Sequence, residues 1–237
     1  QDGANGSGGY RPFPVNEIET YYSSFYGDVD GAYAYTDKIY DNSPLNRVKE
    51  QSAPGNDWRL SSNHHTEFTY GTNTENNEVY LFSVSESNQL VKEGCYPKQS
   101  LFKNTYKDEN NSTTIEYKDY KDRLVSKVVN SDVEPLITQY VYDKYNNLRF
   151  VLPPEAFSKV PPGSTSQAYE NTIDWIKQLC YYYKYDVYGR IAIKKLPGAD
   201  EVYMVYNRRD EVVLTQDGEL RTNNDWLYIK YDRFNRP

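Results

Sequence analysis

The sequence predicts a mainly β protein built from repeated antiparallel strand-turn-strand units. Three observations predict it. The stretch Tyr183-Lys184-Tyr185-Asp186-Val187-Tyr188-Gly189-Arg190 reads as strand, tight turn, strand, and variants of it recur along the chain. Tyrosine supplies 26 of the 237 residues, and Tyr, Val, Ile and Thr suit a pleated, half-buried surface. Only one segment carries a helical apolar stripe. Ile, Leu, Val and Phe together number only 49 residues. That is close to the level of roughly 20% below which chains stay disordered. Tyrosine makes up the deficit, because its ring fills a core when its hydroxyl finds a partner.

Taken in order, residues 1–10 are small and polar and read as a disordered tail. Arg11-Pro12-Phe13-Pro14-Val15 reads as extended, since each Pro restrains the residue before it. Residues 11–112 are expected to form an N-terminal β-rich module. Within it, Gly27-Asp28 suggests a loop and Asp30-Gly31 a hairpin turn. Tyr33, Tyr35 and Ile39-Tyr40-Asp41 look like strand residues. Residues 41–59 carry turn chemistry, with Ser43-Pro44 and Pro54-Gly55-Asn56-Asp57. Thr66–Tyr70, Glu78–Ser85, Leu101–Tyr106 and Thr113–Tyr117 read as strands by their alternation.

Residues 113–237 are expected to be the repeat region, with a helical insertion over 152–180. Five copies align on a turn-starting Asp or Asn, at Asp119, Asp143, Asp186, Asn207 and Asp232. The spacings are 24, 43, 21 and 25 residues, and periods of this size mark repeat architectures. In the third copy Asp186 can bond its own backbone to start the turn, and Gly189 can supply positive φ. The long spacing holds the insertion, bracketed by Pro153-Pro154 and Pro161-Pro162-Gly163. Tyr169, Ile173, Ile176 and Cys180 fall on one face of a helix, which predicts an amphipathic helix near 166–180. Ser164, Thr165 and Ser166 are its candidate N-caps. Gln216-Asp217-Gly218-Glu219 is expected to be a hairpin turn.

The units YVYDKYNNLRFV, YKYDVYGRIAIKKLPG and IKYDRFNRP resemble the YD repeats of bacterial Rhs proteins. RPFPVNE, IYDNSPLNRVKEQSAPGNDWR and TEFTYGTN resemble the N-terminal module that precedes such repeats. The resemblance implies strand-turn-strand units wound in a curved or spiral sheet that encloses a C-terminal cargo. It implies a secreted or bacterial cell-surface protein, whose partner is the downstream Rhs core or cargo domain. The family's self-cleaving core motif and cargo lie beyond the repeats, so the chain reads as an N-terminal fragment.

Chemistry is thinly represented. Net charge is −7 with no basic block, so the footprint of a nucleic-acid binder is missing. No apolar run is long enough to span a bilayer, and the chain starts at Gln1 without a basic, apolar leader. Cys95 and Cys180 lie far apart and read as free thiols, with a single disulfide as the other reading. His64-His65 would point to opposite faces of a strand and reads as surface polarity rather than a metal site. No nucleophile elbow, phosphate loop or dinucleotide fingerprint is present. No cofactor, metal or catalytic residue is therefore expected. The turn set Asp119, Asp143, Asp186, Gly189, Arg190, Asn207 and Asp232 is read as structural. Trp58 and Trp226 are candidate carbohydrate contacts. The expected function is a non-enzymatic segment of a β shell or a surface-interaction scaffold. The alternative is a glycan-binding surface module. Self-association through the C-terminal edge strand is expected, because a bare edge pairs with another copy.

Overall fold

The computed structural model describes residues 14–131, 133–163 and 165–237. The expected tail 1–10 and the extended segment up to Phe13 lie outside them. The chain divides into two compact units, one of residues 1–70 with 105–114, the other of 71–104 with 115–237.

The first unit opens with a helix, α1 (Pro14–Gly31), interrupted at Gly27, whose φ is 83°. This corrects the reading of loop and hairpin turn there. Tyr21 and Phe25 touch at 5.1 Å, and Tyr22 and Tyr26 at 6.1 Å, as one-turn neighbours on a helix do. Pro14 at its first position and Glu17 in its first turn are start signals. The strands are β1 (Lys38–Tyr40), β2 (Val48–Gln51) and β3 (Thr66–Thr72), adjacent in that order. Tyr33 and Tyr35 precede β1 and are not strand residues.

The second unit contains a small sheet and a long meander. β4 (Tyr80–Val84), β5 (Leu90–Cys95) and β11 (Gln167–Tyr169) form the small sheet in the order β11-β5-β4. The remaining strands are β6 (Phe102–Lys107), β7 (Thr113–Lys118), β8 (Leu124–Val129), β9 (Leu136–Tyr142) and β10 (Leu148–Leu152). They continue with β12 (Tyr181–Tyr185), β13 (Ile191–Lys195), β14 (Val202–Tyr206), β15 (Val212–Gln216) and β16 (Leu227–Tyr228). From β7 to β16 they lie side by side in chain order, with β10 next to β12. The architecture is mainly β, as the tyrosine-rich alternation predicts.

The main core sits between the two sheets of this unit. Phe82 and Leu90 meet Val141, Phe150, Leu152 and Tyr182 across it. The excursion between β10 and β12 fills the rest through α2 (Pro154–Ser158) and α3 (Asp174–Leu179). The helix expected near 166–180 is thus only six residues long. Tyr169 instead joins β11 opposite Leu90, and Ile173 is the N-cap residue of α3 without a side-chain cap. Tyr169, Ile176 and Cys180 are all buried, and Ile173 packs against them. The apolar face was real, but β5 offered the first part of it a strand partner. Asn171, whose side chain bonds the Asn88 carbonyl at 3.0 Å, falls where a longer helix would run. At the expected hairpin turn, Asp217 instead N-caps a short helix, α4 (Gly218–Thr222), by accepting from the Leu220 N–H at 2.9 Å. The chain reaches β16 only after it.

Candidate functional site

The repeated turn is the most elaborated local structure of the chain. Each copy closes with two backbone bonds. In the third, Asp186 N–H donates to Arg190 O at 2.9 Å and Gly189 N–H to Asp186 O at 3.1 Å. Asp119, Asp143, Asn207 and Asp232 make the same pair of bonds. The residue three after the Asp or Asn has positive φ in every copy: Asp122, Asn146, Gly189, Asp210 and Asn235. That is a three-residue hairpin loop with its left-handed position filled by the residue types that tolerate it.

The turn-starting side chain holds this loop. Asp186 Oδ1 accepts from the Tyr188 and Arg190 N–H groups at 2.9 and 3.0 Å, and its Oδ2 takes Arg190 Nε at 2.8 Å. Asp119 does the same with Lys121 and Arg123, and Asp232 with Phe234 and Arg236. Burial alone would raise the Asp119 carboxyl. The Arg123 side chain and the two backbone N–H groups outweigh it and hold its pKa below the usual value. The fourth copy reverses the partners. Asn207 Oδ1 keeps the backbone bonds, while its Nδ2 donates to Glu211 at 2.5 Å. Asp-with-Arg has become Asn-with-Glu, and the donor-acceptor match survives.

The tyrosine before the turn joins one copy to the next. Tyr142 Oη donates to Leu124 O at 3.1 Å, Tyr185 to Leu148 O at 3.0 Å, Tyr206 to Ile191 O at 2.9 Å and Tyr231 to Val212 O at 3.1 Å. Every acceptor is the fifth residue after the preceding copy's Asp or Asn. The Arg that closes a turn also stacks on the next copy's tyrosine, Arg123 on Tyr142 at 4.9 Å and Arg190 on Tyr206 at 4.7 Å. Arg190 further reaches Asp210 at 2.7 Å. The first unit repeats the clasp in variant form, with Tyr70 donating to Val48 O at 3.0 Å beneath Arg47 at 4.4 Å.

Sequence reasoning missed several members of this set. Ser85 and Asp108 start turns of the same kind, with Asn88 and Asn111 at positive φ. Asp41 starts a wider one closed by Arg47. The usable signal was an Asn three residues after a Ser or Asp. Arg149 was also missed. It is buried, and its guanidinium reaches Tyr183 O, Asp143 and Asn88 at 2.7, 3.3 and 2.6 Å.

The other candidates are more dispersed. Trp58 belongs to the first unit and meets His64 edge-on at 5.8 Å, while Trp226 belongs to the second. They are 40% and 42% exposed. His64 and His65 face the carbonyls of Glu109 and Ser62 respectively. No group of three or more His, Cys, Asp or Glu able to hold a metal occurs among the described residues. No helix among them is long and apolar enough to cross a membrane. Cys95 and Cys180 form no disulfide; Cys180 is fully buried and its thiol is pushed up to about 12 by that burial.

Fold and turn geometry together define a mainly β scaffold built from clasped repeats. Comparison with known proteins adds the following. Residues 2–72 match a family described as a domain of unknown function, DUF6443. No curated protein matches. Among solved structures, the chain is similar to TcdB2-TccC3-TEV at 13% identity, TM-score 0.39, over 78% of its own length. It is similar to TcdB2-TccC3 at 12% identity, TM-score 0.39, over 76%. It spans 9% of the length of each of those chains.

Proposed function

We propose that this chain is a non-enzymatic structural segment of a secreted or cell-surface Rhs-like protein. It contributes strands to a β shell that encloses a downstream cargo domain or presents a surface for interaction. The observation that carries this reading is the tyrosine clasp, made four times at one offset. A unit that bonds its predecessor in a fixed way extends a sheet copy by copy, as repeat architectures do. The turn carboxylates support it as well, because each is occupied by backbone N–H groups and an Arg or Asn side chain rather than left open to a substrate.

The isolated 237-residue chain tests the reading through its edge. β16 pairs with β15 on one side. Light scattering over a concentration series is expected to show self-association, and Tyr228→Pro, which removes an edge N–H, to reduce it. Strictly monomeric behaviour at high concentration would count against the reading. So would a catalytic turnover that Asp186→Asn abolishes.

A glycan-binding surface module is the second reading. It draws on the turn tips, where Tyr145 and Tyr188 are 72% and 78% exposed. Binding on a glycan array that is lost in the Tyr145→Ala, Tyr188→Ala double variant would favour it over the first. Loss in Trp58→Ala or Trp226→Ala alone would move the site to those residues.

A further inference from the structure

In the meander of the second unit, the connections opposite the repeated turns are the irregular ones. Three of them are the excursion carrying α3, the loop 196–201 and the segment carrying α4. All three contribute to the wall of one cavity of about 440 Å³, within the range of about 300–1,000 Å³ typical of small-molecule sites. Phe150 and Tyr182, whose rings lie 5.0 Å apart, come from the sheet. Lys177 comes from α3, Lys195 from the end of β13, Arg221 from α4 and Asp200 from the loop.

We propose that this cavity binds a small organic oxyanion, a carboxylate or phosphate carried on a polar body about the size of one sugar ring. Its three cations set it apart from the turn row, where Arg123, Arg149, Arg190 and Arg236 each pair with an Asp. Lys177, Lys195 and Arg221 have no such ion pair among the described residues. Lys195 Nζ is fixed by the carbonyls of Lys177 and Leu196, which are neutral acceptors. Burial lowers its pKa even though the Cys180 thiol and the Glu201 and Asp200 carboxylates act the other way, so a ligand anion in direct contact would restore what solvent no longer supplies. Arg221 is fixed too, by a 2.9 Å bond to the Glu201 carbonyl and by stacking over Tyr203 at 4.6 Å. The Glu201 carboxylate is occupied by the Tyr203 hydroxyl at 3.0 Å. Asp200 is left as the carboxylate that can take a ligand hydroxyl. Preplaced cations, aromatic floor and one acceptor suit an anionic polyol.

The test is calorimetry on the whole chain at low salt with four probes: glucuronate, glucose 6-phosphate, neutral glucose and inorganic phosphate. Glucuronate or glucose 6-phosphate should bind, and which one binds tighter tells carboxylate from phosphate. Glucose should bind about tenfold weaker or not at all, as loss of a charge-assisted contact predicts. Lys177→Gln changes an exposed side chain whose carbonyl alone serves the fold, so it should melt as the parent does. It and Arg221→Gln should each weaken binding by about tenfold. Equal binding of glucose, affinity unchanged in both variants, or no binding of any probe at millimolar concentration would overturn the proposal. So would inorganic phosphate binding as tightly as the sugar acids, which would mark an adventitious ion only.

Discussion

The exchange of partners between the second-unit turns yields a sharp prediction. Asp119→Asn keeps the Oδ1 acceptor for the Lys121 and Arg123 N–H groups, at 2.9 and 3.1 Å. It removes the acceptor for Arg123 Nε and Nη2, at 2.7 and 2.5 Å, and sets an amide N–H₂ against a guanidinium. A hydrogen bond to a charged group contributes roughly 1.5–3 kcal/mol. Asp119 is buried and the Arg123 side chain is 20% exposed, so solvent screens the pair little. The expected loss is about 2 kcal/mol. Arg123→Glu alone should cost about 3 kcal/mol, because it adds like-charge repulsion and loses the stacking on Tyr142, itself worth roughly 0.5–1 kcal/mol. The double variant Asp119→Asn, Arg123→Glu recreates the pairing of Asn207 with Glu211. It should lose only about 1–1.5 kcal/mol, giving a coupling of about 3.5–4 kcal/mol. Urea unfolding of the parent, both singles and the double measures this as midpoint shifts at constant m. A double variant as unstable as the sum of the singles would refute the claim that side-chain complementarity, rather than charge, is what the turn requires.

Further predictions follow from the same geometry. Gly189 has φ 77°, where Asn146 and Asn235 stand in other copies, so Gly189→Asn should leave the melting temperature nearly unchanged while Gly189→Val costs about 1–2 kcal/mol. Glu78 accepts from Lys103 at 2.5 Å, from the Tyr117 hydroxyl at 2.6 Å and from the Thr74 N–H at 2.7 Å, which outweigh its burial and bring its pKa from 4.5 to about 2. Its folded pKa is depressed, so its stabilisation is present above about pH 4.5 and is lost progressively as pH falls through about 2. At neutral pH it amounts to about 3 kcal/mol. Glu78→Gln should therefore be clearly destabilised at pH 7, with roughly a quarter of that difference left at pH 2.5, by urea midpoint. Iodoacetamide at pH 8 should not alkylate Cys180 in the native chain, whose thiol is pushed up to about 12, and should do so after denaturation, read by mass spectrometry.

What the sequence disclosed and what it hid divide along the range of the interactions. Asp119, Asp143, Asp186, Asn207 and Asp232 were legible because an Asp bonding the next few N–H groups is a local event, completed within five residues. Ser85 and Asp108 make the same turn but lie in the stretch read as the N-terminal module, and Ser85 is neither Asp nor Asn, so they passed unnoticed. Helix α1 was hidden by its composition. Its four central aromatics favour strands in general, and the Gly27 and Gly31 punctuation suggested turns, whereas the pairs Tyr21–Phe25 and Tyr22–Tyr26 satisfy one another only on a helix. Tyr169 was placed on the right face in the wrong element, because its strand partner Leu90 lies far away in the chain. The hydroxyl of Tyr185 shows the limit most plainly. Its ring was readable as core, but nothing near it in sequence names its acceptor, the Leu148 carbonyl.

That acceptor also explains how the repeat survives its own interruption. Between the second and third copies the chain leaves the sheet at Leu152 and returns at Tyr181, having built α2, β11 and α3 on the way. The clasp across the gap, Tyr185 to Leu148, is 3.0 Å long, against 2.9 Å for Tyr206 to Ile191, where no excursion intervenes. The bond depends on β12 lying against β10, which the pairs Phe150–Tyr182 and Val151–Tyr181 secure. It does not depend on how much chain joins them. All the length variation falls at the opposite connections, where 196–201 is a short loop and the excursion and α4 are longer. The turn edge conserves geometry from copy to copy, and the far edge is left free to acquire structure. The excursion uses that freedom to supply Ala156, Val160, Ile176 and Cys180 to the core. A repeat whose aliphatic side chains are scarce thereby gains a densely packed interior without a change to its turn.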